Sequence, residues 1–478
     1  MELHLVIEGT RGLAEQIHRQ LRDAIRSGRL AAGQQLPPSR LLAEQLGVSR
    51  KTVAQAYSKL TFDRLIVTQV GAGTFVASRL PPQSHPLAQE DLAGSAVTRL
   101  WQGMETPLRH PLPEARVRYE FIAGASSRRL FPEAEWRQCS LHGLRRSALH
   151  RGYYAEPEGL LELREAVSRH IGFSRGVNCR PEDLVITSGA QQALDLIARV
   201  LIEPGCIVAM EEPGYPLARM LLEAQGAQVV PVPVDAEGIC VDRIPDGARL
   251  IYTTPTHQFP LGMPMSAARR HALLDRAHEL GAIVVEDDYD SEFRYTTQAF
   301  EPLLTLDRRG LVAYIGTFSK SLSPELRLGY AIAPPALRTA LVNAKHLCDW
   351  HTPTVLQWAL ARFVADGNLL KHIRRCHDVF SERRNRLLAR LSGDLSPWLE
   401  PLPAIAGYHM AVRFRRPVPV LQLCQLARRV EVGLYLLNAC YRHPPQDDGL
   451  LVGFGAIEAE DIDPALDRVR GILEQLSG

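Results

Sequence analysis

The chain has 478 residues, 46% of them hydrophobic and 23% charged, which excludes a largely disordered protein and implies more than one core. Net charge is +2, from 55 Lys and Arg against 53 Asp and Glu. No apolar run approaches the roughly 18 residues of a membrane span, and the start, Met-Glu-Leu-His, has no basic or apolar leader. The eight cysteines, at 139, 179, 206, 240, 348, 376, 424 and 440, stand singly without a Cys-x-x-Cys pair. No zinc module, disulfide framework or other metal site is expected, and the cytosol fits best.

Charge is unevenly spread. Residues 1–80 hold 11 Lys and Arg against 6 Asp and Glu, a balance of +5, whereas the remainder stands at −3. A basic block on a near-neutral body is the footprint of a nucleic-acid module, although a solvated arginine-rich face would look the same. Only five lysines occur, at 51, 59, 320, 345 and 371, against fifty arginines. A lysine retained in an apolar setting is therefore a candidate for chemistry that arginine cannot do.

In chain order, Leu13, Ile17, Leu21 and Ile25 give one apolar helical stripe that Gly28 ends. After Pro37-Pro38, Ser39 is placed to cap a short helix with Leu42 and Leu46 inward. Gly47-Val48-Ser49 reads as a turn, with Ser49 capping a third helix that carries Val53, Ala56, Tyr57 and Leu60. Leu65–Val70 and Thr74–Val76 read as a hairpin around Gly71-Ala72-Gly73. Residues 81–117 are proline-rich and read as a semi-stiff linker with one weakly helical stretch near Ser95–Met104.

From residue 118 apolar runs alternate with helical patterns: Leu184–Ile186, Ile207–Met210, Val229–Val232, Leu250–Tyr252, Ile283–Val285 and Val312–Ile315. This predicts a mostly parallel sheet with helices on both faces. The texture changes after about 345, with an Arg-rich helix over 371–392. The prediction is a large α/β lobe over 118–345 and a smaller one over 346–478.

Two short helices joined by a Gly turn form a helix-turn-helix, whose second helix offers its first residues to the major groove. Those residues are Ser49, Arg50, Lys51 and Thr52. Arg50 can grip guanine by two hydrogen bonds, and Arg40 is placed to meet the backbone. The Gly71–Thr74 tip would be a wing. The segment LRDAIRSGRLAAGQQLPPSRLLAEQLGVSRKTVAQAYSKL followed by VGAGTFV resembles the winged helix-turn-helix of the GntR family of bacterial regulators. That resemblance implies DNA contacts at Arg40, Ser49, Arg50, Thr52 and Gly73.

The segment Ile315–Tyr330 carries the isolated Lys320, whose apolar setting favours a desolvated, neutral amine able to form a Schiff base. Ser319 and Arg327 flank it at spacings suited to a phosphate. Thr187-Ser188-Gly189-Ala190-Gln191 follows a strand and opens a helix, a second anion-binding feature. A carboxylate of Glu286-Asp287-Asp288, after the strand Ile283–Val285, could keep a pyridine nitrogen protonated, and Tyr289 and His257 could meet the ring oxygen. Tyr215 could stack on the ring. Each has a duller alternative: a snorkelling lysine, Asp287 and Asp288 as helix caps, a core tyrosine, a plain helix start. Together, however, YAEPEGLLELREAV, ITSGAQQALDL, TPTHQFPLGMPM, EDDYDSEFRY and GTFSKSLSPELRLGY resemble, in order and spacing, the fold type I (aspartate aminotransferase) family that uses pyridoxal 5′-phosphate (PLP).

The resemblance implies that Lys320 forms the Schiff base and that Asp287 pairs with the ring nitrogen. It places Tyr289 and His257 at the ring oxygen, Tyr215 on the ring face, and Ser188, Ala190, Gln191, Ser319 and Arg327 around the phosphate. A GntR-type domain joined to such a domain resembles the MocR subfamily of regulators. The implied protein is a homodimer that binds paired operator half-sites and senses an amine, an amino-acid-like effector or PLP itself. A sensor is expected rather than an enzyme, with a working aminotransferase as the alternative. One departure supports this. Where aminotransferases place a carboxylate-binding arginine in a late strand, this chain has Leu451. Arg128, Arg219, Arg413 and Arg442 are the candidates left to anchor an acidic effector.

Overall fold

In a computed structural model, residues 5–7, 9, 12–69, 72–78, 98–104, 117–150, 152–296, 300–443 and 449–477 are described. They belong to two compact units, Met1–Thr98 and Arg99–Gly478. Most of the expected linker, and Val70 and Gly71 of the expected hairpin tip, lie outside the described residues. Within the linker, Arg99–Gln102 forms a single helical turn where weak helix was expected.

The first unit has helices Leu13–Arg26, Ser39–Gln45 and Arg50–Phe62, then strands Ile66–Gln69 and Gly73–Val76. Ile17, Leu21 and Ile25 bury the predicted stripe against Leu42, Val53, Ala56 and Leu60. Tyr57 is also buried and donates its hydroxyl to the Pro37 carbonyl at 2.8 Å, which satisfies the phenol in an apolar core. A third strand, Gln35–Leu36, pairs antiparallel with Gly73–Val76, Leu36 opposite Thr74. Two residues carry no readable period, so sequence alone leaves this strand unseen. Ser39 does not cap. It is the first helical residue, and Pro38 holds the cap position without a side-chain bond. Ser49 does cap, its Oγ accepting from the Thr52 amide at 3.1 Å.

The second unit is built on an eight-stranded sheet. Its order is Leu184–Thr187, Gly329–Ile332, Val312–Thr317, Ile283–Asp288, Ala248–Thr253, Ile207–Glu212, Gln228–Asp235 and Gly238–Ile239. The five strands from Val312–Thr317 to Gln228–Asp235 are parallel. Gly329–Ile332, not foreseen as a strand, runs antiparallel between Val312–Thr317 and Leu184–Thr187. Helices Ala190–Leu201 and Pro335–Asp349 pack on one face with Leu194, Ile197 and Leu341. Ala267–Leu280 covers strands on the other through Leu273 and Ala277.

Parallel strands end at one sheet edge, so the loops after Ile207–Glu212, Ala248–Thr253, Ile283–Asp288 and Val312–Thr317 gather there. The smaller lobe has a three-stranded antiparallel sheet of Leu399–Pro401, His409–Phe414 and Gly449–Gly453. The helices Asn368–Ser392 and Ala459–Ser477 pack on it with Phe380, Leu387, Ile462 and Val469.

Candidate functional site

Lys320 follows the strand Val312–Thr317 and donates from Nζ to the Gly124 carbonyl at 3.0 Å. Gly124 has φ +77°, a left-handed backbone that favours glycine, and a Cβ there would stand 2.8 Å from Nζ. Burial pushes the Lys320 pKa down and Arg327 adds to that, against the opposing pull of Asp290 and Asp287. The shift favours the uncharged, nucleophilic form of the amine.

Asp287 lies near the carboxyl end of Ile283–Asp288 and is buried. Its Oδ2 accepts from the Tyr252 hydroxyl at 2.6 Å, and its Oδ1 has no hydrogen-bond partner among the described residues. Burial lifts its pKa to about 6, while Tyr252 and Lys320 draw it back. Neither Asp287 nor Asp288 caps a helix. Glu286 takes that part, accepting from the amides of Leu303 and Leu304 at 2.9 Å each. Asp288 forms a buried pair with Arg175 and accepts from the Tyr314 hydroxyl.

Tyr289 and His257 come together as expected. The Tyr289 hydroxyl lies 3.0 Å from both Nδ1 and the carbonyl oxygen of His257. Two partners were not foreseen. Asp290 Oδ1 lies 2.9 Å from His257 Nδ1, and His409, from the smaller lobe, places its ring centroid 4.8 Å from that of His257. Desolvation holds His409 neutral, its pKa well below the usual value. The loop carrying His257 is anchored by buried Glu211, which accepts from the Thr254 hydroxyl at 2.7 Å and the Thr254 amide at 3.2 Å. Tyr215 meets Phe259 edge to face at 5.6 Å.

The residues expected around a phosphate also come together. Arg327 donates from Nη2 to the Ser188 carbonyl at 2.9 Å. It lies over Gly189, where a Cβ would meet the guanidinium at 2.8 Å. Arg327 itself has φ 49° and ψ 49°, a left-handed backbone that non-glycine residues adopt at a cost and that is common at ligand sites. The helix Ala190–Leu201 starts at this point with no side-chain cap, so its first amides, including those of Ala190 and Gln191, face forward with the positive dipole end. The Ser188 amide is not among them, because it donates to Gln192 Oε1 at 2.8 Å. Ser319 Oγ is buried without a hydrogen-bond partner among the described residues. The unpaired Asp287 and Ser319 oxygens, the helix start and the buried amine are the complement of a phosphorylated pyridine aldehyde.

Among the effector candidates, Arg128 and Arg413 are exposed. Arg442 is bound to the Val229 carbonyl at 2.7 Å and to Glu223 at 3.3 Å. Arg219 lines a small cavity with Tyr215, Glu212, Cys440 and Arg442. Leu451 is buried with Leu261, Ala411, Leu437 and Cys440.

In the first unit, Arg40, Ser49 and Arg50 are exposed, Thr52 is half-buried, and Gly73 opens the second wing strand at φ +120°. Ser49 and Thr52 hydroxyls lie 2.8 Å apart, so the cap orients both at the start of Arg50–Phe62. Lys59 forms an ion pair with Glu15, whereas Arg40 and Arg50 sit solvent-facing on the helix starts.

Residues 13–76 match the bacterial regulatory proteins of the gntR family, and residues 135–425 match aminotransferase class I and II. The chain is 33% identical to the probable rhizopine catabolism regulatory protein MocR of Rhizobium meliloti, over 95% of this chain and 92% of that one. It is 34% identical to the HTH-type transcriptional regulator TauR of Rhodobacter capsulatus, over 85% and 88%. Among solved structures, the Pyrococcus horikoshii kynurenine aminotransferase superposes with a TM-score of 0.73 at 27% identity, over 80% of this chain and 98% of that chain. With a winged helix-turn-helix and a fold type I aminotransferase domain in one chain, and full-length likeness to regulators of that build, the protein belongs to the MocR subfamily of GntR-type transcriptional regulators.

Proposed function

We propose that this regulator binds PLP at Lys320 and uses it to read an amine, an amino-acid-like effector or PLP itself, while its first unit holds operator DNA. The observation that carries the reading is the convergence on one sheet edge of a buried amine, an unpaired buried carboxylate oxygen and an anion cradle. When bound, PLP supplies an aldehyde carbon open to amines and an electron-withdrawing ring. Lys320 would present its nitrogen to that carbon. Asp287 would accept a hydrogen bond from the protonated ring nitrogen through Oδ1, with Tyr252 holding its other oxygen. Arg327, Ser319, Ser188 and the amides of Ala190 and Gln191 hold the phosphate. Tyr215 packs on the ring, and Tyr289 and His257 line its oxygen edge. Arg50 reads a base, and Arg40, Ser49, Thr52 and Gly73 set the unit on the phosphates.

Borohydride reduction of the PLP-loaded protein tests this. Lys320→Ala should abolish the trapped adduct, and persistence of that adduct on another lysine would overturn the assignment.

The regulator acts in the cytosol as a homodimer. Leu141, Leu144, Leu149, Tyr153, Tyr154 and Leu347 are exposed on the second unit, apolar surface of the kind that a second copy covers. A second reading, a working aminotransferase, is favoured by the same Lys320, Asp287 and Arg327 set. Accumulation of 2-oxo acid from an amino acid would establish it, and its absence with a bound, amine-responsive cofactor fits sensing alone.

A further inference from the structure

We infer that Lys345 and Asp349, acting through Gln192, are positioning residues for the phosphate end of the site, and that they set its preference for a phosphorylated over an unphosphorylated pyridine aldehyde. The inference rests on the reading of Lys320 as the cofactor lysine and names what holds the turn at the far end of that cofactor.

Lys345 is one of only five lysines in a chain with fifty arginines. It lies one turn after Leu341, on the face of the helix Pro335–Asp349 that packs on Ala190–Leu201, and its side chain is fully buried. A buried ammonium is stable only with a partner. Its Nζ donates to Asp349 Oδ1, one turn further along the same helix. Burial presses the Lys345 pKa down, and the bond to Asp349 raises it.

The other Asp349 oxygen, Oδ2, accepts from Gln192 Nε2 at 2.8 Å. A carboxylate can only accept, so this bond turns the Gln192 NH2 toward Asp349 and leaves Oε1 facing the Ser188 amide, from which it accepts at 2.8 Å. Ser188 is held from its other side as well, its carbonyl accepting from Arg327 Nη2 at 2.9 Å. The next residue is Gly189, at φ 85°, a joint with no side chain to fix it, and the amides of Ala190 and Gln191 follow directly. A glutamine at the third position of a helix can reach back to a preceding amide unaided. Here a second helix supplies a partner that decides which end of the glutamine points back. The chain from Lys345 through Asp349 and Gln192 to Ser188 therefore fixes the turn from which the phosphate-facing amides project. The aldehyde end is held separately, Lys320 by Gly124 and Asp287 by Tyr252.

The test is to titrate the full chain with PLP and, separately, with pyridoxal, which offers the same aldehyde without the phosphate. Adduct trapped on Lys320 by borohydride is the readout for both. The wild type should take PLP at lower concentration than pyridoxal. Lys345→Met removes the ammonium and keeps the buried stem, and Gln192→Leu removes the last link. Each should weaken PLP by on the order of tenfold and leave pyridoxal within about twofold, so that the preference narrows. Asp349→Asn, which lets the glutamine amide turn around, should narrow it too. If Lys345→Met fails to fold, Gln192→Leu and Asp349→Asn, both nearer the surface, carry the test. An unchanged preference in these variants, equal weakening of both aldehydes, or a wild type that takes both alike would overturn the inference. If the wild type traps neither aldehyde on Lys320, the cofactor reading itself fails, and the inference falls with it.

Discussion

Asp287 is held in a state that favours its ligand over its own stability. Its pKa is lifted from 3.8 to about 6 because it is buried, with Tyr252 as its one side-chain hydrogen-bond partner among the described residues. A carboxyl with a raised folded pKa destabilises the fold as pH rises between its unfolded and folded values, and the cost is fully present above them. For Asp287 this is on the order of 3 kcal/mol above about pH 6. Glu286, at about 7, and Glu292, at about 8, move in the same direction. Asp287→Asn, which removes the charge at constant shape, should therefore raise the melting temperature of the PLP-free protein at pH 8 and leave it nearly unchanged at pH 4. Equal effects at the two pH values would contradict this account. The same substitution should abolish stable PLP binding, a stability gain made at the expense of function.

At the scale of elements, the start of the helix Arg50–Phe62 combines two separable effects. Ser49 satisfies the Thr52 amide, so Ser49→Ala should cost about 1 kcal/mol of stability in the first unit, measured by thermal melting. Arg50 is solvent-exposed and adds nothing comparable to the core. Arg50→Ala should leave the melt unchanged and weaken operator binding by about 1–3 kcal/mol at fixed salt. Operator affinity unaltered by Arg50→Ala would remove this side chain from base readout. Binding should also fall steeply as salt is raised, because the +5 block acts through phosphates.

For the whole molecule, regulation requires that the effector bind two global states unequally, since equal binding shifts nothing. The pocket is suited to this because it is made by both lobes of the second unit: His409 of the smaller lobe packs against His257 and against Tyr289, 6.2 Å away. Occupancy at Lys320 should thus be felt by His409 as well as by the large sheet. Couplings of this kind run to about 1–3 kcal/mol, so effector should change operator affinity by roughly 5- to 150-fold. Lys320→Ala should still bind operator, because the winged helix folds on its own core, yet lose its response to amines in a gel-shift titration. An intact response in that variant would refute coupling through Lys320. Sedimentation of the PLP-loaded chain at micromolar concentration should give a dimer mass.

What could be read directly from the chain is what local pattern encodes. The i, i+4 stripe of the first helix, six of the eight strands of the large sheet, the rare Lys320 and the acid after Ile283–Val285 are each visible within a few residues of sequence. Contacts between distant segments are not. Tyr252 reaches Asp287 across 35 residues, Asp290 meets His257 across 33, and Gly124 receives Lys320 across 196. Gly329–Ile332 joins the sheet through its pairing with Val312–Thr317 and Leu184–Thr187, which its four residues alone do not announce. Sequence determined which groups are available for chemistry, since residue type and spacing set donors, acceptors and helix starts. Only the tertiary structure decided which of them meet, because burial and the parallel sheet edge bring together side chains that no local periodicity relates.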